Sequence, residues 1–207
     1  MRVGFVSGFP LAHWGPLFHV LCLEQPGLHI TWLPLPFPRQ DAPLLADADV
    51  GLFLQPPRRP GLAMLALDVS PMVAVMAVGH RLAQHYEPSV ADVIGARFLR
   101  VDASLDRDWA AFWTLDAQRG GPPATADTEV GSMAEWLEVV VSGAAIATTA
   151  DWVAGGLPHP GVVTLPLIDA PPVETCLVWR SDDDRPVIAA LVDLARDWTS
   201  RRHERGR

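Results

Sequence analysis

The stretch VGSMAEWLEVVVSGAAIATT, residues 130–149, holds a helix start, a helix stop and a strand in one short run. Ser132 and Glu135 have capping-box spacing: a hydroxyl takes one free backbone N–H at the helix start, and the carboxylate reaches back for another. Apolar residues continue to Val141, and Gly143 falls where a left-handed residue ends a helix. AAIATT (144–149) then reads as a strand buried on both faces. A helix that runs directly into a buried strand is the repeating unit of an α/β protein, and it predicts parallel sheets.

The same alternation extends in both directions. Upstream, VGFVSGFPLAHW (3–14) reads as a strand, a Ser-Gly turn and a helix start, with Gly15-Pro16 distorting that helix or delaying it. LHITWLPL (28–35) is a strand, residues 39–48 a helix, and DVGLFL (49–54) a strand buried on both faces. The Pro-rich QPPRRPG (55–61) is excluded from a central strand or a helix interior. Two extended runs follow, broken at Ser70-Pro71, then a short helix capped by Ser89, the strand ARFLRVD and a helix over 106–118. Downstream lie the short helix ADWVAGG, the strands GVVTLPLI and TCLVWR, and a final amphipathic helix RPVIAALVDLARDW.

Composition narrows the function. The chain has 207 residues, 49% of them hydrophobic and 19% charged, as in a globular protein large enough for one large domain or two small cored lobes. No run of 18 apolar residues and no signal peptide appears, so the expected location is cytoplasmic, with no membrane partner. A net charge of −8 is the wrong sign for gripping DNA directly. Cys22 and Cys176 lie in apolar surroundings without metal or redox spacing. Neither His13 and His19, nor His80 and His85, have ligand spacing, and SDDDR (181–185) lacks the acidic ladder of a calcium loop. No metal or cofactor is expected.

In parallel sheets, ligands sit at the carboxyl ends of strands, where helix N-termini present free N–H groups. Three such mouths occur, at residues 7–11, 102–105 and 131–133. Ser7 either hydrogen-bonds a ligand carboxylate or caps its helix, and Ser104 and Ser132 carry the same two readings. Gly8 lets backbone approach closely. Pro10 has no N–H, leaving the donors of Phe9, Leu11 and Ala12. Phe9 and Trp14 suit an aromatic or apolar body, Met133 borders the third mouth, and Asp102 brings an opposing negative charge. Arg58 and Arg59 either close over an anion or are solvated. Trp109 is a further candidate pocket wall.

The order and spacing of these elements resemble the effector-binding domain of LysR-type transcriptional regulators across nearly the whole chain. RVGFVSG (2–8), EQPGLHITW (24–32), DADVGLFL (47–54), VAVMAVGHRLAQ (73–84), the 130–149 stretch and CLVWR (176–180) carry the resemblance. The chain departs from the family pattern at Arg81, at Gly15-Pro16 and at Thr148-Thr149, where a Leu-Pro pair is common. The resemblance implies two Rossmann-like lobes of the type 2 periplasmic-binding-protein kind, joined by two crossovers at 68–72 and 164–168. Lobe I would comprise 1–68 and 168–207, and lobe II 72–164. The family's N-terminal winged helix-turn-helix is absent from this chain, so DNA would be met only through that missing part.

A small metabolite, an organic or aromatic acid, is then expected between the lobes, touching Ser7, Gly8, Phe9, Trp14, Asp102, Ser104, Ser132, Met133, Thr148 and Thr149. One of the two threonines would merely satisfy backbone. The family also implies a homodimer or higher oligomer, with helix 11–24 packed antiparallel against helix 132–142 of a neighbour and Leu17, Leu21, Trp136 or Val140 at the interface. No catalysis is required. The alternative is an enzyme or a solute-binding protein on the same fold, but no nucleophile with a base can be placed in the cleft.

Overall fold

The computed structural model describes residues 1–6, 9–37, 43–84, 87–101, 106–156 and 158–205. The chain divides into two units: Met1–Leu35, Pro43–Val69 and Glu174–Arg207 form unit 1, and Pro36–Ala42 with Ser70–Val173 form unit 2.

Unit 1 is built on a five-stranded sheet ordered β2-β1-β3-β10-β4. Its strands are β1 (Arg2–Val6), β2 (Thr31–Leu35), β3 (Val50–Leu54), β4 (Leu62–Ser70) and β10 (Val173–Arg180). β1 runs parallel to β2 and β3, whereas β10 runs antiparallel to β3. Every residue of β3 is buried, which explains its unbroken apolar sequence. Helix α1 (Gly15–Glu24) buries Leu17, Phe18 and Leu21, and the C-terminal helix α7 (Pro186–Arg205) packs against it. Gly4 and Gly51 face each other across β1 and β3; a Cβ on Gly4 would press on Leu35, and one on Gly51 on Phe53. The close packing therefore demands glycine at both positions.

A polar clasp ties the start of β3 to the start of α7. Arg185 reaches Asp183 at 2.6 Å and Asp49 at 3.0 Å, and Asp49 also accepts the Arg2 N–H at 2.6 Å. Burial alone would raise the Asp49 carboxyl, but the Arg2 N–H and the Arg185 guanidinium outweigh it and hold it below its ordinary value. Hydrogen bonding from Arg185 likewise lowers Asp183.

Unit 2 carries a three-stranded sheet, β8-β5-β9, and a parallel pair, β6-β7. These are β5 (Met72–Ala77), β6 (Phe98–Val101), β7 (Thr125–Val130), β8 (Ala147–Ala150) and β9 (Val162–Pro166). β5 pairs antiparallel with both β8 and β9, so the all-parallel expectation fails here as it does at β10. A strand's direction depends on the end from which the chain enters the sheet, and β5 and β10 are the first strands after the chain changes unit. The helices are α2 (Val90–Val93), α3 (Arg107–Trp113), α4 (Asp116–Arg119), α5 (Met133–Val141) and α6 (Asp151–Gly155). Val73, Val75, Leu99, Val130 and Val140 form one core, flanked by Trp136.

Two local expectations are corrected, and a third is resolved between its alternatives. The predicted helix over 39–48 is, in its described part 43–48, a pair of turns closed by Ala46 N–H to Pro43 O and Ala48 N–H to Leu45 O, with Ala46 at φ 45°. The helix over 106–118 is two helices, because Leu115 takes φ 59° to sink its side chain completely into the core. Between β1 and α1 lies a 3-10 turn, Leu11–His13, and Pro16 occupies the first turn of α1, so Gly15-Pro16 delays the helix. Among the described residues, no helix is long and apolar enough to cross a membrane.

Candidate functional site

In unit 1, the first mouth begins where β1 ends at Val6; Ser7 and Gly8 lie outside the described residues. Phe9 N–H donates to Val6 O at 3.1 Å, so it is not one of the free donors expected from the sequence. Leu11 and Ala12 do keep N–H groups with no acceptor among the described residues, as befits the first residues of a helical turn. Trp14 is 1% exposed, its ring edge-on to His13 at 4.9 Å, so its indole packs in the core of unit 1 directly behind the turn. After β3, Gln55 turns at φ 43° and its N–H holds Glu174 O at 2.8 Å; Arg58 beyond it is exposed. Burial, with the Glu174 charge, pushes the Cys176 thiol up to about 12, which leaves it unreactive.

In unit 2, Asp102 and Ser104 fall outside the described residues. The helix that follows is capped by Asp106, whose carboxylate accepts the Trp109 N–H at 3.1 Å. Ser132 caps α5 by accepting the Glu135 N–H at 3.3 Å. The Glu135 carboxylate turns back one residue further than a capping box requires, to the Gly131 N–H at 2.7 Å. Ser132, Met133 and Ala134 are left with N–H groups that meet no acceptor among the described residues. These donors, at the positive end of the α5 dipole, suit an anionic or carbonyl group. Ser132 and Met133 are half-buried.

Thr148 and Thr149 are adjacent in β8 and therefore face opposite sides of the sheet. Both are buried, at 5% and 6% exposure. The Thr148 hydroxyl donates to the Trp113 main-chain carbonyl, and Thr149 borders a cavity of about 10 Å³ under α5 and α6. A space of that size holds a single water at most. Thr148 in turn brings an aromatic group into view: Trp113 stacks edge-on to Phe112 at 5.0 Å and to Trp109 at 6.0 Å, and Trp109 meets Phe37 at 5.6 Å. Phe37 had no signal in the sequence, because the chain lends that short segment to unit 2 from between two strands of unit 1.

Leu17, Leu21 and Val140, expected at a subunit interface, are fully buried inside their own units. Among the described residues, the large apolar side chain of α1 that is exposed is Leu23, at 68%. Among the described residues, no cluster of His, Cys, Asp or Glu could hold a metal ion.

The family profile of the LysR substrate binding domain matches residues 1–200. The effector binding domain of BenM, solved with its effector benzoate, is 16% identical, with a TM-score of 0.74 over 98% of this chain and 93% of that one. The regulatory domain of CcmR from Synechocystis PCC6803, solved in complex with 2-PG, is 13% identical, with a TM-score of 0.71 and 96% of each chain covered. Full-length CbnR, solved with its target DNA, is 16% identical, with a TM-score of 0.73 over 96% of this chain and 70% of that one. At these identities the likeness is one of fold. No curated protein matches the sequence.

Proposed function

The chain belongs to the LysR substrate-binding domain family, a family of non-enzymatic effector domains of transcription regulators, and from that premise we propose that it senses a small organic acid in the cytoplasm. The observation that carries this reading is the pair of mouths with unspent backbone donors, at Leu11 and Ala12 in unit 1 and at Ser132, Met133 and Ala134 in unit 2. Backbone N–H groups at helix starts favour carboxylates and phosphates. Benzoate and 2-PG, the ligands named with the BenM and CcmR domains, are consistent with that class. Ser7, Gly8 and Phe9 contribute the first contact set, and Asp102, Ser104, Ser132 and Met133 the second. Trp14, Thr148 and Thr149 hold those mouths in shape from the core.

The regulator acts as a homodimer that meets DNA through a winged helix-turn-helix, and the acid shifts its equilibrium by binding one state better than another. Leu23 on α1, facing α5 of the neighbour, replaces the buried leucines as the interface residue. A thermal-shift series with sodium benzoate and other small carboxylates, each paired with its neutral amide, tests the ligand class. A carboxylate should raise the apparent Tm in a concentration-dependent way while its amide does not. Stabilisation by amines or neutral compounds alone would rule the acid out.

A further inference from the structure

Two turns at one end of the unit 2 sheet are each closed by an imidazole. After β5, the Leu82 N–H donates to His80 Nδ1 at 3.3 Å. Before β9, the Gly161 N–H donates to His159 Nδ1 at 3.0 Å. The turns are tied together: Ala77 faces Val162 in the β5–β9 ladder, and one step further the Val78 N–H donates to Gly161 O at 3.0 Å. The C-terminal end of α5 rests on the same spot. A Cβ on Gly161 would stand 3.2 Å from Val141 Cγ1, and one on Gly143 would stand 3.8 Å from that of Ala77.

Both imidazole bonds share one chemical requirement. A ring nitrogen accepts an N–H only while it carries no proton, so each ring must be neutral with its proton on Nε2. A proton on Nδ1 turns the acceptor into a donor aimed at another donor. The Leu82 N–H, part-buried above a side chain that is 2% exposed, then loses its partner.

We propose that His80 and His159 form an acid-sensitive latch, which holds the two turns and the seat of α5 while both rings are neutral and releases them on protonation. The surroundings favour the neutral ring at His80, since burial, and then the Arg81 charge beside it, hold it below its ordinary value. Residues 72–84, 139–143 and 158–166 meet at this end and carry Arg81 as their one charged side chain besides the two rings. Glu138, next along α5, is exposed. An unfolded histidine takes up its proton near 6.5, before the folded His80 does. Stability is therefore complete above that value and falls as the pH drops below it. This window lies above that of the aspartates at Arg185, about 3.9 when unfolded, so the two devices act separately. The latch belongs to unit 2 alone and stands whatever ligand the domain takes.

Urea unfolding of the 207-residue chain at about pH 7.5 and about pH 5 tests it. The folding equilibrium constant of the parent should fall by about tenfold or more, as for an N–H left without its acceptor. In the double variant His80→Asn/His159→Asn, a carboxamide oxygen takes the N–H two residues on in an Asx turn and does not titrate. This variant should match the parent at the higher pH and lose most of the fall, whereas His29→Asn, at an exposed position, should keep it. Nitrogen NMR of the parent needs no variant. Both rings should show an unprotonated Nδ1 at the higher pH, and the Leu82 and Gly161 amides should lose exchange protection as the rings protonate. A parent equally stable at both pH values, or a folded double variant with the parent's full pH dependence, overturns the latch. So does a proton on either Nδ1 at the higher pH, or amides that stay protected beside protonated rings.

Discussion

The Thr148 hydroxyl donates to the main-chain carbonyl of Trp113, fastening the C-terminal end of α3 to strand β8 across 35 residues of sequence. A helix end leaves its last carbonyls without intrahelical partners, and this threonine satisfies one of them from the sheet.

Thr148→Val keeps the shape and removes the donor, leaving a part-buried carbonyl without this partner. It should cost about 1–2 kcal/mol of stability in urea unfolding, while Thr148→Ser costs less. If the valine variant is as stable as the parent, the bond contributes nothing.

Gly51→Ala should destabilise by about 1–3 kcal/mol, because a core filled to native density has no room for another methyl group. The added Cβ would stand 2.9 Å from Leu45 Cδ2 and closer still to the Phe53 ring, both side chains being buried. Gly15→Ala, where nothing lies within 4 Å of the new atom, is the control and should be neutral or slightly stabilising.

The clasp at Arg185 predicts a pH dependence. Asp49 and Asp183 are held below the ordinary aspartate value, about 3.9 in an unfolded chain. The stability they supply is therefore complete above that value and is lost as the pH falls through their lower folded values. Arg185→Ala should cost only about 1 kcal/mol at neutral pH, since the guanidinium is 47% exposed and solvent screens it. The same variant should lose stability less steeply than the parent on acidification. Parallel acid-side slopes in denaturant titrations would show that the clasp is not responsible.

Ser7→Ala should weaken binding of the stabilising acid by about 1 kcal/mol or more, roughly fivefold, if its hydroxyl meets a charged group. Calorimetry of parent and variant checks this, with thermal melts to show that the fold is unchanged. Full affinity in a stable variant would assign Ser7 to turn formation alone.

Leu23→Asp should abolish the α1-mediated dimer, whereas a conservative Leu17→Met change inside the core should leave assembly as it is and cost less than about 1.5 kcal/mol of stability. Light scattering at matched concentrations distinguishes the two, and a Leu23→Asp variant with the parent's mass would exclude α1 from the interface.

Punctuation residues made the element order legible. Ser132 caps α5, Ser89 caps α2 with Asp92 closing the box, and Gly143 ends α5 at φ 76°. What the sequence concealed was decided by tertiary packing. Leu115 accepts a left-handed backbone that leucine avoids, because its side chain is fully buried there, and no local pattern announces that exchange. The 43–48 turns looked helical from composition, but the left-handed Ala46 stops any helix, and its carbonyl serves Arg180 from β10 instead. At the mouths, the residue types were readable and the hydrogen bonds were not. Phe9 closes a turn onto Val6, and Glu135 overshoots Ser132 to reach Gly131. Such choices depend on one or two torsion angles, which side-chain chemistry alone does not fix.

The strand order of unit 1 sets a timetable for the nascent chain. β10 lies between β3 and β4, so the sheet keeps a gap in its middle until residue 180 has left the ribosome, and α7 must follow before α1 is covered. Nearly all of unit 2 is contiguous, from Ser70 to Val173, and is available to fold before that moment. The unit whose first strand is synthesised earliest is thus completed last, with β3 exposing the edge that β10 will take, and the three strands their apolar faces, throughout synthesis of the other. A ribosome stalled between the end of unit 2 and the end of α7 would hold a finished unit 2 on an unfinished unit 1, a species inclined to pair its open strands with those of its neighbours on the same message.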